Sequence, residues 1–137
     1  MTSCGGGSGG ASLQADFTNL DGGDYTISGR VTLPANVSGK VGQIFVKRSS
    51  GDFSASALEA KTLSGSEISY SAVGLIAGTY TIRLSVDRNE NGIIDSGDYV
   101  GFCCGTSAAP ILDESEAEVI SVESSNVSGK DFYASEQ

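Results

Sequence analysis

A run of twelve residues near the middle of the chain carries oxygen donors at the spacing that a hard cation requires. Side-chain oxygens fall at positions 1, 3, 5, 9 and 12 of residues 87–98, and Gly92 stands at position 6. Calcium takes about six to eight oxygen ligands, and a tightly curled loop aims alternate side chains at it. The glycine takes the backbone torsion that turns the chain. The predicted ligands of a Ca²⁺ ion are the side chains of Asp87, Asn89, Asn91, Asp95 (directly or through a water) and Asp98, and the main-chain carbonyl of Ile93.

The segments on either side of this loop indicate strands. Residues 79–86 alternate, with Tyr80, Ile82, Leu84 and Val86 on one face, and residues 98–102 also have a strand-like composition. A calcium sensor of the EF-hand type acts through paired helices, so a switch of that kind is not expected here. An acidic hairpin turn is the alternative interpretation, but a turn needs only one or two such residues.

The last ligand position predicts weak binding. Asp98 stands where calcium sensors usually carry Glu, and its side chain is shorter by one methylene. The expected dissociation constant is therefore about 10⁻⁴ to 10⁻³ M, the range of extracellular modules.

Composition narrows the class of protein. The 137 residues predict one domain, and 39% apolar residues with 19 glycines indicate a turn-rich all-β chain. A net charge of −9 argues against nucleic acid and against direct adsorption to an anionic membrane. The chain has no histidine, which removes the usual general base, and no serine in a nucleophile-elbow context. An enzyme is not expected.

Short alternating segments predict the fold. Seven or eight strands, separated by turns every eight to twelve residues, indicate an antiparallel β-sandwich over residues 23–137. The first strand is expected over residues 24–33 and the last over residues 130–134.

The beginning of the sequence suggests an anchored tether. Thr2 and Ser3 precede Cys4, which resembles the cleavage box of bacterial lipoproteins, where the cysteine is lipidated. A Gly/Ser-rich segment follows, and residues 1–22 are predicted to be flexible. The alternative is an ordinary Gly/Ser leader that happens to contain a cysteine. The lipoprotein interpretation implies export to the cell envelope, at the outer membrane or cell surface.

Two further cysteines, Cys103 and Cys104, are adjacent. Neighbouring residues of a strand point to opposite faces, so a disulfide between them requires a distorted turn. Two reduced thiols, one of them buried, are one interpretation, and a disulfide formed in an oxidising compartment is the other. Zinc would need two further ligands.

The strand and corner motifs resemble a known family. Residues 27–31 (Ile-Ser-Gly-Arg-Val) and residues 74–82 (Gly-Leu-Ile-Ala-Gly-Thr-Tyr-Thr-Ile) are similar to the opening strand and corner of carboxypeptidase-regulatory-like or transthyretin-like domains. Residues 87–101 are similar to a calcium-type loop in secreted bacterial members, and residues 126–132 resemble their last strand. The resemblance implies an Ig-like, transthyretin-like sandwich that is a non-catalytic accessory domain.

The expected function is therefore a surface-displayed binding or adhesion module with a structural calcium ion. Its partner would be a protein or a glycan, and the chain is expected to be a monomer. The alternative is a spacer that binds nothing but calcium. A cluster of exposed aromatic side chains on one face would favour binding; the candidates are Tyr25, Phe53, Tyr70, Tyr99 and Tyr133.

Overall fold

The fold is an all-β sandwich of two sheets. The computed structural model describes residues 12–19, 22–50, 53–94, 96–106 and 108–136. The strands are β1 (Ser12–Asp16), β2 (Tyr25–Thr32), β3 (Val41–Ser50), β4 (Phe53–Thr62), β5 (Glu67–Leu75), β6 (Gly78–Asp87), β7 (Tyr99–Phe102), β8 (Ile120–Val122), β9 (Phe132–Tyr133) and β10 (Ser135–Glu136). A 3-10 turn, Glu114–Glu116, lies between β7 and β8.

The larger sheet is built from antiparallel neighbours, whereas the smaller sheet also contains parallel pairs. The smaller sheet has the order β1-β5-β2-β9, and the larger has the order β10-β7-β6-β3-β4, with β8 also paired to β6. The pairs β1–β5 and β2–β9 are parallel, so the smaller sheet is mixed. The predicted antiparallel sandwich is confirmed as an all-β sandwich, with ten strands in the described residues where seven or eight were expected.

The core follows from alternation along the strands. Ile82, Leu84 and Val86 of β6 are buried on the face opposite Arg83 and Ser85, as a two-residue period requires. Phe17, just after β1, meets Tyr80 of β6 edge-to-face, with 5.9 Å between ring centroids. This pair links the two sheets across the core.

A buried tyrosine marks the other end of the core. Tyr70 packs against Phe132, and its hydroxyl donates a hydrogen bond to the carbonyl of Lys130. Burial raises the pKa of Tyr70 well above its usual value, and the carboxylates of Asp131 and Glu118 raise it further.

The first strand corrects the predicted tether. Residues 12–16 form β1, inside the segment 1–22 that composition assigned to a flexible tether, and Leu13, Ala15 and Phe17 are fully buried. The prediction was wrong here because the alternation of apolar residues is only five residues long and directly follows a segment rich in glycine and serine. Residues 1–11 lie outside the described part of the chain.

Side chains cover the exposed edges where the two sheets meet. The backbone N–H of Gln14 in β1 donates to Glu59 Oε1 of β4 at 2.6 Å, and Lys61 Nζ donates to the Ser12 carbonyl at 2.9 Å. These contacts cross between the edge strands of different sheets. They satisfy strand-edge groups that would otherwise pair with another chain.

Candidate metal site

The predicted cation loop connects two neighbouring strands. β6 ends at Asp87 and β7 begins at Tyr99, and the strands pair antiparallel with Val86 opposite Tyr99. The prediction that the loop joins strands rather than helices is therefore confirmed. Asp87 also lies opposite Val41 of β3, so the first loop position is held within the sheet.

Glycine at the sixth position allows the loop to turn back on its first residue. Gly92 has φ of +88°, a torsion that other residues rarely adopt, and a Cβ added there would meet no atom within 4 Å. The requirement is therefore for the torsion and not for space. The Gly92 N–H donates to Asp87 Oδ2 at 2.8 Å, which closes the first half of the loop.

The two asparagines of the loop, Asn89 and Asn91, form turns within its first half. Asn89 Oδ1 accepts the N–H of Asn91 at 3.3 Å, and Asn91 Oδ1 accepts the N–H of Ile93 at 3.1 Å. Each is a side chain bonded to the backbone two residues further on, the arrangement of an Asx turn. An amide oxygen has two lone pairs, so it can accept a hydrogen bond and also bind a cation.

Asp87 carries an oxygen without a partner. Its Oδ1 atom is buried and has no hydrogen-bond partner, although Oδ2 of the same carboxylate is bonded to Gly92. A buried polar atom left unpaired costs about 1–3 kcal/mol. A cation bound to Oδ1 would remove that cost, so this atom fits the first ligand position.

The residue at the last ligand position of the loop is hydrogen-bonded to the residue at its second position. Asp98 is fully buried, and its Oδ1 accepts the backbone N–H of Arg88 at 2.8 Å. This hydrogen bond holds the two ends of the loop together. A carboxylate has about four acceptor positions, so Asp98 can also bind a cation.

Arg88 is a structural residue of the loop that the ligand spacing did not reveal. Its guanidinium donates to the Gly97 carbonyl at 2.8 Å, lies 4.3 Å above the ring of Tyr99 and approaches Glu136 at 3.9 Å. Position 2 of the ligand pattern does not supply a metal ligand, so the pattern does not predict a role for this side chain. An arginine beside an aromatic residue at the start of the next strand was the available signal.

The two remaining predicted ligands are the carbonyl of Ile93 and the side chain of Asp95. The Ile93 side chain is exposed, which is compatible with a role for its carbonyl alone. Asp95 lies outside the described residues. Within the part of the chain that the structure describes, no three His, Cys, Asp or Glu side chains lie close enough together to hold a metal ion. The described donors of the loop are thus two carboxylates, two amides and a carbonyl.

The adjacent cysteines follow β7. The structure joins Cys103 and Cys104 as a disulfide across a cis peptide bond, which is the second of the two interpretations. Cys103 is fully buried, and its N–H donates to the Ile82 carbonyl at 2.9 Å. Cys4, the predicted lipidation site, lies outside the described residues.

The aromatic side chains that would separate the two expected functions do not cluster on one exposed face among the residues that the structure describes. Tyr70 and Tyr99 are buried and belong to different sheets, Tyr25 is half-buried, and Tyr133 is 37% exposed. The side chain of Phe53 is not among those described. The aromatic criterion therefore gives no support for a binding surface.

No family model, curated protein or solved structure matches this chain. Within the described residues, no helix is long and apolar enough to cross a membrane.

Proposed function

We propose that this chain is a non-catalytic binding or adhesion module whose β6–β7 loop holds a structural Ca²⁺ ion. The observation that carries the calcium proposal is the buried, unpartnered Oδ1 of Asp87 at the first ligand position. The turn at Gly92 and the bond from Arg88 to Asp98 support it, because they curl the loop as the spacing requires.

Asp87, Asn89, Asn91, Asp95 and Asp98 would hold the ion with their side chains, and Ile93 with its carbonyl. Calcium would offset the negative charge of the loop and link the end of β6 to the start of β7. Binding to the folded state alone stabilises that state, so the melting temperature should rise with calcium and fall with a chelator. A wild-type protein that melts identically in both buffers and contains no cation by elemental analysis would contradict the proposal.

We also propose membership of the carboxypeptidase-regulatory-like or transthyretin-like sandwich domains. Two structural features agree with the resemblance. The corner before β6 is closed by the Tyr80 hydroxyl, which donates to the Ile76 carbonyl at 2.8 Å. Gly29 of β2 packs so closely on the Lys130 carbonyl and the Tyr70 hydroxyl that a Cβ would collide with both. Both motif positions therefore have structural reasons for their residue type.

Display at the cell surface through lipidated Cys4 remains part of the proposal. The precursor expressed in a bacterial host should incorporate labelled palmitate, and Cys4→Ser should abolish the label. Labelling that persists in the variant would contradict the lipid-anchor proposal.

A spacer that binds only calcium is the competing function, and the lack of an exposed cluster among the described tyrosines favours it. Arrays of glycans and of surface proteins, probed with and without calcium, separate the two functions. Binding to any partner supports the module. No binding in either buffer, with normal calcium stabilisation, supports the spacer.

A further inference from the structure

A cleft of mixed polar and aliphatic lining lies on the outer face of the larger sheet, beside the cation loop. Gln43 of β3 and Ser85 of β6 are direct cross-strand neighbours, and both line the cleft. Val41 and Ile94 contribute aliphatic walls, and Asp87 and Glu90 contribute carboxylates. Its volume is about 400 Å³, within the range of small-molecule sites.

Ser85 distinguishes this cleft from an ordinary surface depression. Alternation along β6 places Ser85 on the face opposite the core, yet it is only 1% exposed. Its hydroxyl is buried and has no hydrogen-bond partner. Buried hydroxyls in native proteins nearly always have a protein or water partner, so the Ser85 hydroxyl is a candidate hydrogen-bond partner for a ligand in the cleft.

The chemistry of the lining selects the ligand. The hydroxyl of Ser85 and the amide of Gln43 both donate and accept hydrogen bonds, which suits a ligand that carries several hydroxyl groups. Glu90 and Asp87 disfavour an anion, although Lys40 approaches Glu90 at 3.4 Å. The side chains of Val41 and Ile94 can pack against the C–H groups of a sugar ring.

We propose that this cleft binds a neutral monosaccharide unit, either free or at the end of a glycan, through Ser85 and Gln43. The proposal rests on the binding-module function and specifies its ligand. It uses neither Asn89 nor Asn91, and the proposed calcium ion accounts for Asp87 Oδ1 but not for the Ser85 hydroxyl.

Backbone amide NMR of the full chain tests the proposal. Glucose, galactose, mannose and N-acetylglucosamine are titrated, with glucuronate as the anionic comparator and a short oligosaccharide ending in the best sugar. A neutral sugar should cause saturable shifts confined to residues 41–43 and 85–94. Tighter binding of the oligosaccharide would identify a glycan end as the ligand, and equal binding a free sugar; both support the cleft.

Variants separate the cleft from general effects. Ser85→Ala should weaken sugar binding about five- to tenfold, the effect of losing one hydrogen bond. Thr81→Ala, on the same face of β6 but outside the cleft, should leave it unchanged. Gln43→Met keeps the side-chain length, removes the amide, and serves as the test if Ser85→Ala does not fold.

Several results would overturn the proposal. These are no saturable shift with any neutral sugar, shifts that map outside the cleft, sugar binding by Ser85→Ala and Gln43→Met that is as tight as that of the wild type, or binding of glucuronate that is tighter than that of the neutral sugars. Parallel titrations with calcium distinguish this failure from failure of the calcium site. Calcium binding without sugar shifts rejects the cleft alone, whereas sugar shifts in a protein that binds no calcium reject the metal site alone.

Discussion

Replacement of Asp87 by asparagine should have opposite consequences with and without calcium. Asp87→Asn keeps an oxygen that accepts the Gly92 N–H, but it replaces the unpartnered carboxylate oxygen by a neutral amide group. A neutral amide costs less to bury than an unpaired charge. The calcium-free variant should therefore be as stable as the wild type, or up to about 1 kcal/mol more stable.

Calcium should reverse this order. At about 10 mM Ca²⁺ and the expected dissociation constant of about 10⁻⁴ to 10⁻³ M, the wild type gains about 1.4–2.7 kcal/mol. For a domain of this size that gain corresponds to a rise in melting temperature of roughly 4–11 °C. The variant should gain little, because a neutral amide replaces the carboxylate at the first ligand position.

Calorimetric melts in calcium and in chelator measure both effects. Asp24→Asn is the matched control, since it makes the same charge change at an exposed position outside the loop. If Asp87→Asn gains as much stability from calcium as the wild type and the Asp24 control do, Asp87 is not a calcium ligand.

Three further predictions concern the Arg88 clasp, a buried tyrosine and the cysteine pair. The Arg88 clasp is the contact of the Arg88 guanidinium with the Gly97 carbonyl and the Tyr99 ring. Arg88→Ala should lower the free energy of unfolding by about 1–2 kcal/mol in urea titrations, through loss of its bond and ring contact. Arg30→Ala, with a single exposed ion pair, should cost under about 0.5 kcal/mol, and equal losses would refute the clasp. The raised pKa of Tyr70 means that the folded state keeps a proton which the unfolded state loses, so stability should fall above about pH 10, by up to about 1.4 kcal/mol per pH unit. Tyr70→Phe should flatten that fall in urea titrations, and an unchanged slope would show that other groups cause it. Intact mass of the oxidised protein should be two hydrogens lower than the reduced mass, and alkylation without reductant should leave Cys103 and Cys104 unmodified; their modification would show free thiols.

Local pattern predicted most strands and failed where a strand depends on a distant partner. Residues 78–87 alternate over a long stretch, so β6 was evident from sequence alone. β1 has only Leu13 and Ala15 as inward residues, and it is held by parallel pairing with β5, more than fifty residues away. Val119 and Ile120 are adjacent apolar residues, so local alternation alone does not decide which of them faces the core. Pairing with β6 decides it, burying Ile120 and leaving Val119 exposed.

The candidate site likewise combines features that the local sequence predicts with features that depend on distant residues. The glycine at position 6 and the alternating flanks are local, so a loop that turns at Gly92 between two strands could be predicted from sequence. The clasp by Arg88 depends on Tyr99 and Glu136, which other strands supply. Ser85 lines its cleft together with Gln43 of another strand and with residues of the loop. Neither arrangement has a periodic signature in sequence.

Equilibrium dialysis against calcium, followed by elemental analysis, measures whether the β6–β7 loop binds a calcium ion. In about 10 mM Ca²⁺ the wild type should retain about one calcium ion per chain above the Asp87→Ala level, since the expected affinity gives at least about 90% occupancy. Asp24→Ala, which removes an exposed carboxylate, should retain as much calcium as the wild type. Equal calcium contents in the wild type and Asp87→Ala would contradict a calcium site in this loop.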